Sequence, residues 1–469
     1  MAKTLNRRQM IQSLGAMGAM GAGAALPWSA AAQSVATART APARGVPTPK
    51  IKDVSVISVQ VSPRSARLSV VKITTDQPGL YGYGCATFTQ RADLIKPAVE
   101  KYLKPLLLGR PTDAIQDIWQ MAWDSSYWRI GPVLNNAISG VDEALWDIKG
   151  RQLGVPVYEL VGGKVRDAAE VYRHVGGATP AELVDAIQKQ AATGCRNFHI
   201  GIGGRGPRPV PGAPAAAAPA PAAPNPMDYG IAELQTADPN FDPVARAREA
   251  LDAFEYCRKH LGDKVGLGYD AHERLASPRA SVQFCKDVEQ YNPYFIEDPL
   301  APENIEYFKE IRQACTTPIA MGELFVNPND WEFLITNRLI DYIRCHVSEI
   351  GGFSQGRKIA LLAEFFQVKT AWHNPGDVSP VGIMANVTLD VTSRAFGLQE
   401  FGNAPTGALA EVFQGAAEYR NGYAWVSNKP GWGIEVDEKA ALKYPFNEQQ
   451  PLDGGWGALR RPDGSITRQ

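Results

Sequence analysis

From residue 50 onward the chain alternates in two rhythms. In the first, "KIKDVSVISVQV" and "ARLSVVKITTD" carry apolar residues at every second position around a polar turn, and "YGYGCATF" continues the pattern. A period of two marks half-buried strands, so a small antiparallel meander is expected. Three segments with helical spacing follow: "ADLIKPAVEKYLKPLLL", "DAIQDIWQMAWDSSYW" and "NNAISGVDEALWDIKGRQLG", the last stopping on Gly154. Strands followed by helices predict an α+β unit over residues 50–165.

The second rhythm covers residues 166–400. Short β-rich runs ("AEVYRHV", "CRNFHIGI", "VGLGYDAH", "YFIEDP", "PIAMGE", "DYIRCHV", "VKTAWHN", "FGLQEF") alternate with amphipathic helices such as "ENIEYFKEIRQA" and "SQGRKIALLAEFF". Eight strands in alternation with helices predict an α/β barrel, TIM-like and parallel, with the preceding α+β unit as a cap. Most runs end on a polar residue at intervals of 21 (Glu323 to Arg344) to 29 (Arg344 to His373): His174, His199, Asp270, Glu297, Glu323, Arg344, His373, Glu400. The one long gap holds a Pro/Ala-rich stretch at 203–229, which lacks any periodicity and reads as a loop inserted after the second barrel strand. The remainder, 401–469, is expected to pack back on the barrel and the cap.

Composition changes little in this picture. The chain has 469 residues, 45% of them hydrophobic and 21% charged, with a formal net charge of -1. Such a balance gives no electrostatic reason to expect nucleic acid or an acidic membrane surface as a partner. Six cysteines show no C-x-x-C spacing, and buried thiols are expected. The N-terminus is different. "MAKTLNRRQMIQSLGAMGAMGAGAALPWSAAAQ" joins paired Arg7 and Arg8 to a weakly apolar Gly/Ala stretch and small residues at Ala30 to Ala32. This predicts a cleaved export signal over 1–32, of the twin-arginine type, then a flexible lead-in over 33–49. No later run reaches the roughly 20 apolar residues of a membrane span. The mature protein is therefore expected to be soluble and periplasmic.

The strand ends carry the chemistry. In a β/α barrel the side chains at the carboxyl ends of the strands converge on one site. Three consecutive strands would bring Asp270, Glu297 and Glu323 together, and three carboxylates at close range cannot all stay ionised without positive charge among them. All-oxygen ligation points to a hard divalent cation, Mg2+ before others, one per subunit.

"YDAHERL", "FIEDPLAPEN", "MGELF", "DYIRCHVSEIGG" and "WHNPGDVSPVG" resemble the successive barrel motifs of the enolase superfamily, and within it the mannonate dehydratase-like acid-sugar dehydratases. "YWRIGPV" and "ALWDIKGRQLGVPVYELVGG" in the first unit resemble that family too, so the likeness spans nearly all of 50–469. It implies abstraction of the proton α to a substrate carboxylate, then loss of the 3-hydroxyl to give a 2-keto-3-deoxy acid. It makes Asp270, Glu297 and Glu323 the metal ligands and His272 the acid that assists hydroxide departure. Alternation along the strand is expected to point His272 to the ligand side. Arg344 resembles the arginine that meets the substrate carboxylate. His373, Asp377 and Glu400 match positions that hold sugar hydroxyls, and His174 and Thr89 match further substrate contacts. His260 and His346 match nothing and read as structural. The family also implies a small acid-sugar substrate and a homo-oligomer.

The likeness fails at the base. The family uses a tyrosine after the second barrel strand, activated by an arginine at that strand's end. Here His199 stands at the arginine's place, and the tyrosine's region is the Pro/Ala-rich stretch, with no tyrosine before Tyr229. Three readings follow. His199 is itself the base, since an ordinary imidazole titrates near neutrality; or Tyr229 swings back, activated by His199 or Arg205; or dehydration is lost, leaving a sugar-acid binder or another α-proton reaction such as epimerisation, racemisation or cycloisomerisation.

Overall fold

The computed structural model describes residues 47–62, 65–202, 241–402, 404–447, 459–460 and 465–467. The expected export signal over 1–32 and the loop over 203–229 lie outside the described residues, as does nearly all of the lead-in over 33–49.

The alternating segments form a three-stranded antiparallel sheet, β1 (Ile51–Val59), β2 (Leu68–Thr75) and β3 (Tyr81–Cys85), in that order. Val54, Val56, Val71 and Ile73 turn into an apolar core shared with two helices, α1 (Ile115–Asp124) and α2 (Pro132–Leu153). Helix α2 begins on a proline, whose missing N–H costs nothing there, and stops at Gly154 with φ 69°, a left-handed geometry that glycine adopts without strain. Strand β3 lies directly on the backbone of α2. A β-carbon at Gly84 would come within 2.1 Å of the Gly140 carbonyl oxygen, so only glycine fits.

β3 is the sheet edge, and its N–H groups are met by acids of α2 rather than by a fourth strand. Tyr83 N–H donates to Asp147 at 3.0 Å and Cys85 N–H to Glu143 at 2.7 Å. Asp142, the residue before Glu143 on α2, accepts from the backbone N–H and the hydroxyl of Ser354 in the barrel. Burial pushes these carboxyls up, Asp142 to about 7, Glu143 to about 8 and Asp147 to about 6.

The second rhythm forms eight parallel strands: β4 (Ala169–Gly177), β5 (Asn197–Ile202), β6 (Gly266–Asp270), β7 (Ile296–Glu297), β8 (Ile319–Met321), β9 (Tyr342–Ile343), β10 (Lys369–Thr370) and β11 (Gln399–Glu400). Each neighbours the next, β11 pairs with β4, and a Thr370–Phe396 bridge closes the ring. All eight expected strands are present. The helices between them are also readable in sequence. Five open on a polar residue followed by proline (Thr179, Asp242, Ser277, Asn327 and Ser379), and each polar side chain accepts a hydrogen bond from the first turn. Tyr172, Phe295, Ala320, Ala371 and Leu398 fill the barrel interior.

The C-terminal segment touches both parts. Its hairpin, 418–425, adds Tyr423 and Ala424 antiparallel to β4. The Trp432 indole N–H reaches the carbonyls of Tyr83 and Glu143 in the cap. All six cysteines are unpaired and buried. Among the described residues no helix is long and apolar enough to cross a membrane.

Candidate active site

Strand register sets the floor of the site. Asp270 pairs across from Glu297, Glu400 from Tyr172, and His174 from His199. Glu323 follows β8, Arg344 follows β9, and His373 follows β10, so all of these side chains belong to one end of the barrel.

The expected trio of acids is a quartet. Oxygens of Asp270, Glu297 and Asp298 lie within 4.8 Å of one another, and so do ligand atoms of Asp270, His272 and Glu323. Asp270 is the shared member. Asp298 is the addition: its backbone turns left-handed, φ 40°, with the N–H held by the Ala320 carbonyl, which returns a neighbour of Glu297 to the same cluster. Simple alternation would send it away. Glu297 and Asp298 are sealed from solvent; neither Asp298 oxygen receives a hydrogen bond among the described residues, and the Glu297 oxygens face Arg344 and His199 as ion-pair contacts without an aligned hydrogen bond. Burial, joined by the neighbouring carboxylates, drives Glu297, Asp298 and Glu323 above the usual range. Crowded carboxylate oxygens of this kind fit a hard divalent cation.

His272 reaches the cluster by another route than strand alternation. Strand β6 ends at Asp270, and His272 sits in a left-handed turn, φ 48°, with its backbone N–H 2.7 Å from the Asp270 carboxylate. Its Nε2 pairs with Asp270 and stands 3.8 Å from Glu323. Burial opposes the imidazolium, but Asp270 outweighs it and holds the group above its ordinary value. The imidazole thus lies on the carboxylates' flank, where Asp270 favours its protonated form.

Arg344 is more engaged than a free substrate contact. Its Nε lies 2.6 Å from Glu297 Oε1 and donates to the Tyr172 hydroxyl oxygen, its Nη1 is 3.5 Å from Glu323, and its Nη2 binds Glu400. Glu400 also accepts from the Asn374 N–H at 2.7 Å and pairs with His174. Burial works against the Glu400 charge, yet Arg344 and His174 keep it well below the usual range.

His199 departs from expectation. It is buried under His174, the two rings stacked with centroids 5.0 Å apart, and its Nε2 is 3.5 Å from Glu297. Burial first, then the neighbouring His174, lowers it to about 3. The ordinary titration behaviour that recommended it as a base is therefore lost. Tyr229 and Arg205 lie outside the described residues.

On the far side, His373 Nε2 stands 3.2 Å from Glu323. His346, read from sequence as structural, places its Nδ1 3.0 Å from that of His373, and the two histidines with Asp377 bring their ligand atoms within 4.8 Å. Burial, then Glu400 and Glu323, lifts Asp377 to about 7. Thr89 opens the short helical stretch after β3, and its buried hydroxyl has no hydrogen-bond partner among the described residues. His260 is bonded to the Tyr256 carbonyl on its own helix, away from this end.

Two family models match the chain: the mandelate racemase/muconate lactonizing enzyme N-terminal domain over residues 46–162, and the enolase C-terminal domain-like family over 182–440. A D-galactonate dehydratase family member, RspA of Pantoea ananatis, is 45% identical over 414 residues, covering 88% of this chain and 98% of that protein. Another, from Musicola paradisiaca, is 45% identical over 422 residues, covering 89% and 99%. Among solved structures, an enolase from Pantoea ananatis with bound D-gluconate and Mg superposes with a TM-score of 0.81 at 44% identity, covering 90% of this chain and all of that one.

Proposed function

Because the chain belongs to the mandelate racemase/muconate lactonizing enzyme group, with its enolase-like barrel, and to the D-galactonate dehydratase family, we propose that it is a Mg2+-dependent hydro-lyase of six-carbon acid sugars of the gluconate or mannonate type. The observation that carries this reading is the double cluster in which Asp270 is shared, oxygens of Glu297 and Asp298 on one side and of Glu323 with the His272 imidazole on the other. The gluconate- and Mg-bound relative supports the same ligand chemistry.

In this reading Asp270, Glu297 and Glu323 hold the ion, which when bound supplies the positive charge that offsets electron density gathering on the substrate carboxylate. His272 delivers a proton to the departing 3-hydroxyl. Arg344, fixed by three carboxylates, orients Glu297 and keeps Glu400 ionised. His373, Asp377 and Glu400 offer polar groups for the sugar hydroxyls. The product is a 2-keto-3-deoxy acid.

The test is a panel of aldonic and uronic acids given to the Mg2+-loaded protein in D2O. Keto-deoxy product supports the proposal. Deuterium in recovered substrate without product would identify an epimerase instead, and Mg2+-dependent binding without turnover would identify a binding protein. We further propose that the enzyme works after export to the periplasm, which the Arg7–Arg8 pair and the small residues before Gln33 support; fractionation of cells carrying the full chain tests it.

A further inference from the structure

Proton abstraction needs a base that substrate can reach, and His199 is sealed. The ring that closes over it is a better candidate. His174 stands at the carboxyl end of β4 with about half of its side chain (49%) open to solvent, stacked within 4° of parallel on His199. Its Nε2 is 2.5 Å from Glu400 Oε1. Glu400 is fully buried and anchored at its other oxygen by Arg344 and the Asn374 N–H, so it cannot follow a moving ring. An ionised carboxylate only accepts, which assigns the shared proton to Nε2 of His174 and leaves Nδ1 as the position that takes a new one.

We propose that His174, oriented by Glu400, is the base that removes the α proton in this chain. The placement suits the task. His199, directly below, touches Glu297 at 3.5 Å, so His174 stands one ring above the acid cluster on the β4 side. His272 flanks the same cluster from the end of β6, two strands away. A sugar acid seated on the cluster would have one imidazole for each of the two proton transfers. The substrate C2–H bond breaks and its proton passes to Nδ1 of His174. The electron pair forms the C2–C3 double bond as the C3–O bond breaks. The hydroxyl takes a proton from His272 and leaves as water, and the enol tautomerises to the 2-keto acid. Solvent then removes the proton from His174 and restores the one on His272.

This proposal rests on the dehydratase reading, and its test separates the two. Dehydration and C2–H exchange in D2O are measured for the wild type, His174→Ala, and His174→Ala with added imidazole, with Mg2+ affinity measured calorimetrically as the check on folding. The expected result is at least a 100-fold loss of both reactions at unchanged Mg2+ affinity, with partial return on adding imidazole, which can take the half-exposed position of the lost ring. Wild-type-like exchange in the variant overturns the base assignment and leaves the dehydratase reading intact, as does a loss without imidazole rescue that Tyr229→Phe reproduces. A wild type inactive on every acid sugar overturns both. If the alanine variant fails to fold, His174→Gln, which keeps an amide near Glu400, carries the same test.

Discussion

Arg344 and Glu297 form an ion pair sealed from solvent, with Nε 2.6 Å from Oε1 and side-chain exposures of 1% and 0%. A guanidinium in that position also answers Glu323 and Glu400. Its removal leaves buried carboxylates without their counter-charge. Arg344→Met is expected to destabilise the metal-free protein by about 3–5 kcal/mol, read from denaturant melts. A variant as stable as the wild type would mean that solvent reaches these groups.

The acid quartet predicts a metal linkage. Burial, joined by the neighbouring carboxylates, holds Glu297, Asp298 and Glu323 above the usual carboxylate range. Mg2+ at 100 times its dissociation constant should raise stability by about 2.7 kcal/mol. Asp270→Asn removes the member common to both clusters and should abolish the Mg2+-dependent rise in melting temperature, whereas a surface change such as Lys101→Gln should not.

His272 predicts a separation of binding from turnover. His272→Asn should lower dehydration about 10²–10⁴-fold while Mg2+ affinity stays within a few-fold. Unaltered product formation in that variant would remove it from the mechanism.

The buried acids of α2 predict an unusual pH response. Glu143 is raised to about 8 by burial, against about 4.3 in an unfolded chain. The folded state then binds the extra proton between those values, so this group's share of stability is greatest at low pH and is lost as pH climbs toward 8. Glu143→Gln cannot lose a proton. The difference in unfolding free energy, wild type minus variant, should therefore fall between pH 5 and pH 8, with a slope of up to about 1.4 kcal/mol per unit. A constant difference across that range would show that the carboxyl titrates normally.

Gly84 predicts a steric limit. Since its β-carbon would meet the Gly140 carbonyl at 2.1 Å, Gly84→Ala must part β3 from α2. The expected cost is about 1–3 kcal/mol, measured in urea.

Much of this was legible in the sequence because it is local. Most of the barrel's β-rich runs lead to a polar residue, and five of its helices open on a polar–proline pair, so these announce themselves within a few positions. What stayed hidden depends on distant partners or on the sign of a backbone angle. Asp298 enters the cluster through a left-handed turn that no alternation rule anticipates, and His272, expected there, arrives by a left-handed turn rather than along the strand. Asp142, Glu143 and Asp147 look like the polar face of an amphipathic helix, but their partners are β3, Ser354 and Trp432, the last 285 residues away. His199 has the right residue type at the right strand end, and only burial removes its basicity. His346 was passed over because its partner, His373, lies on the next strand.

The buried thiols turn the molecule into its own clock. A cysteine at zero exposure meets an alkylating reagent or an oxidant only when the surrounding structure opens. Labelling kinetics followed one cysteine at a time would therefore rank the openings of the cap, through Cys85, against those of the barrel wall, through Cys285 and Cys345.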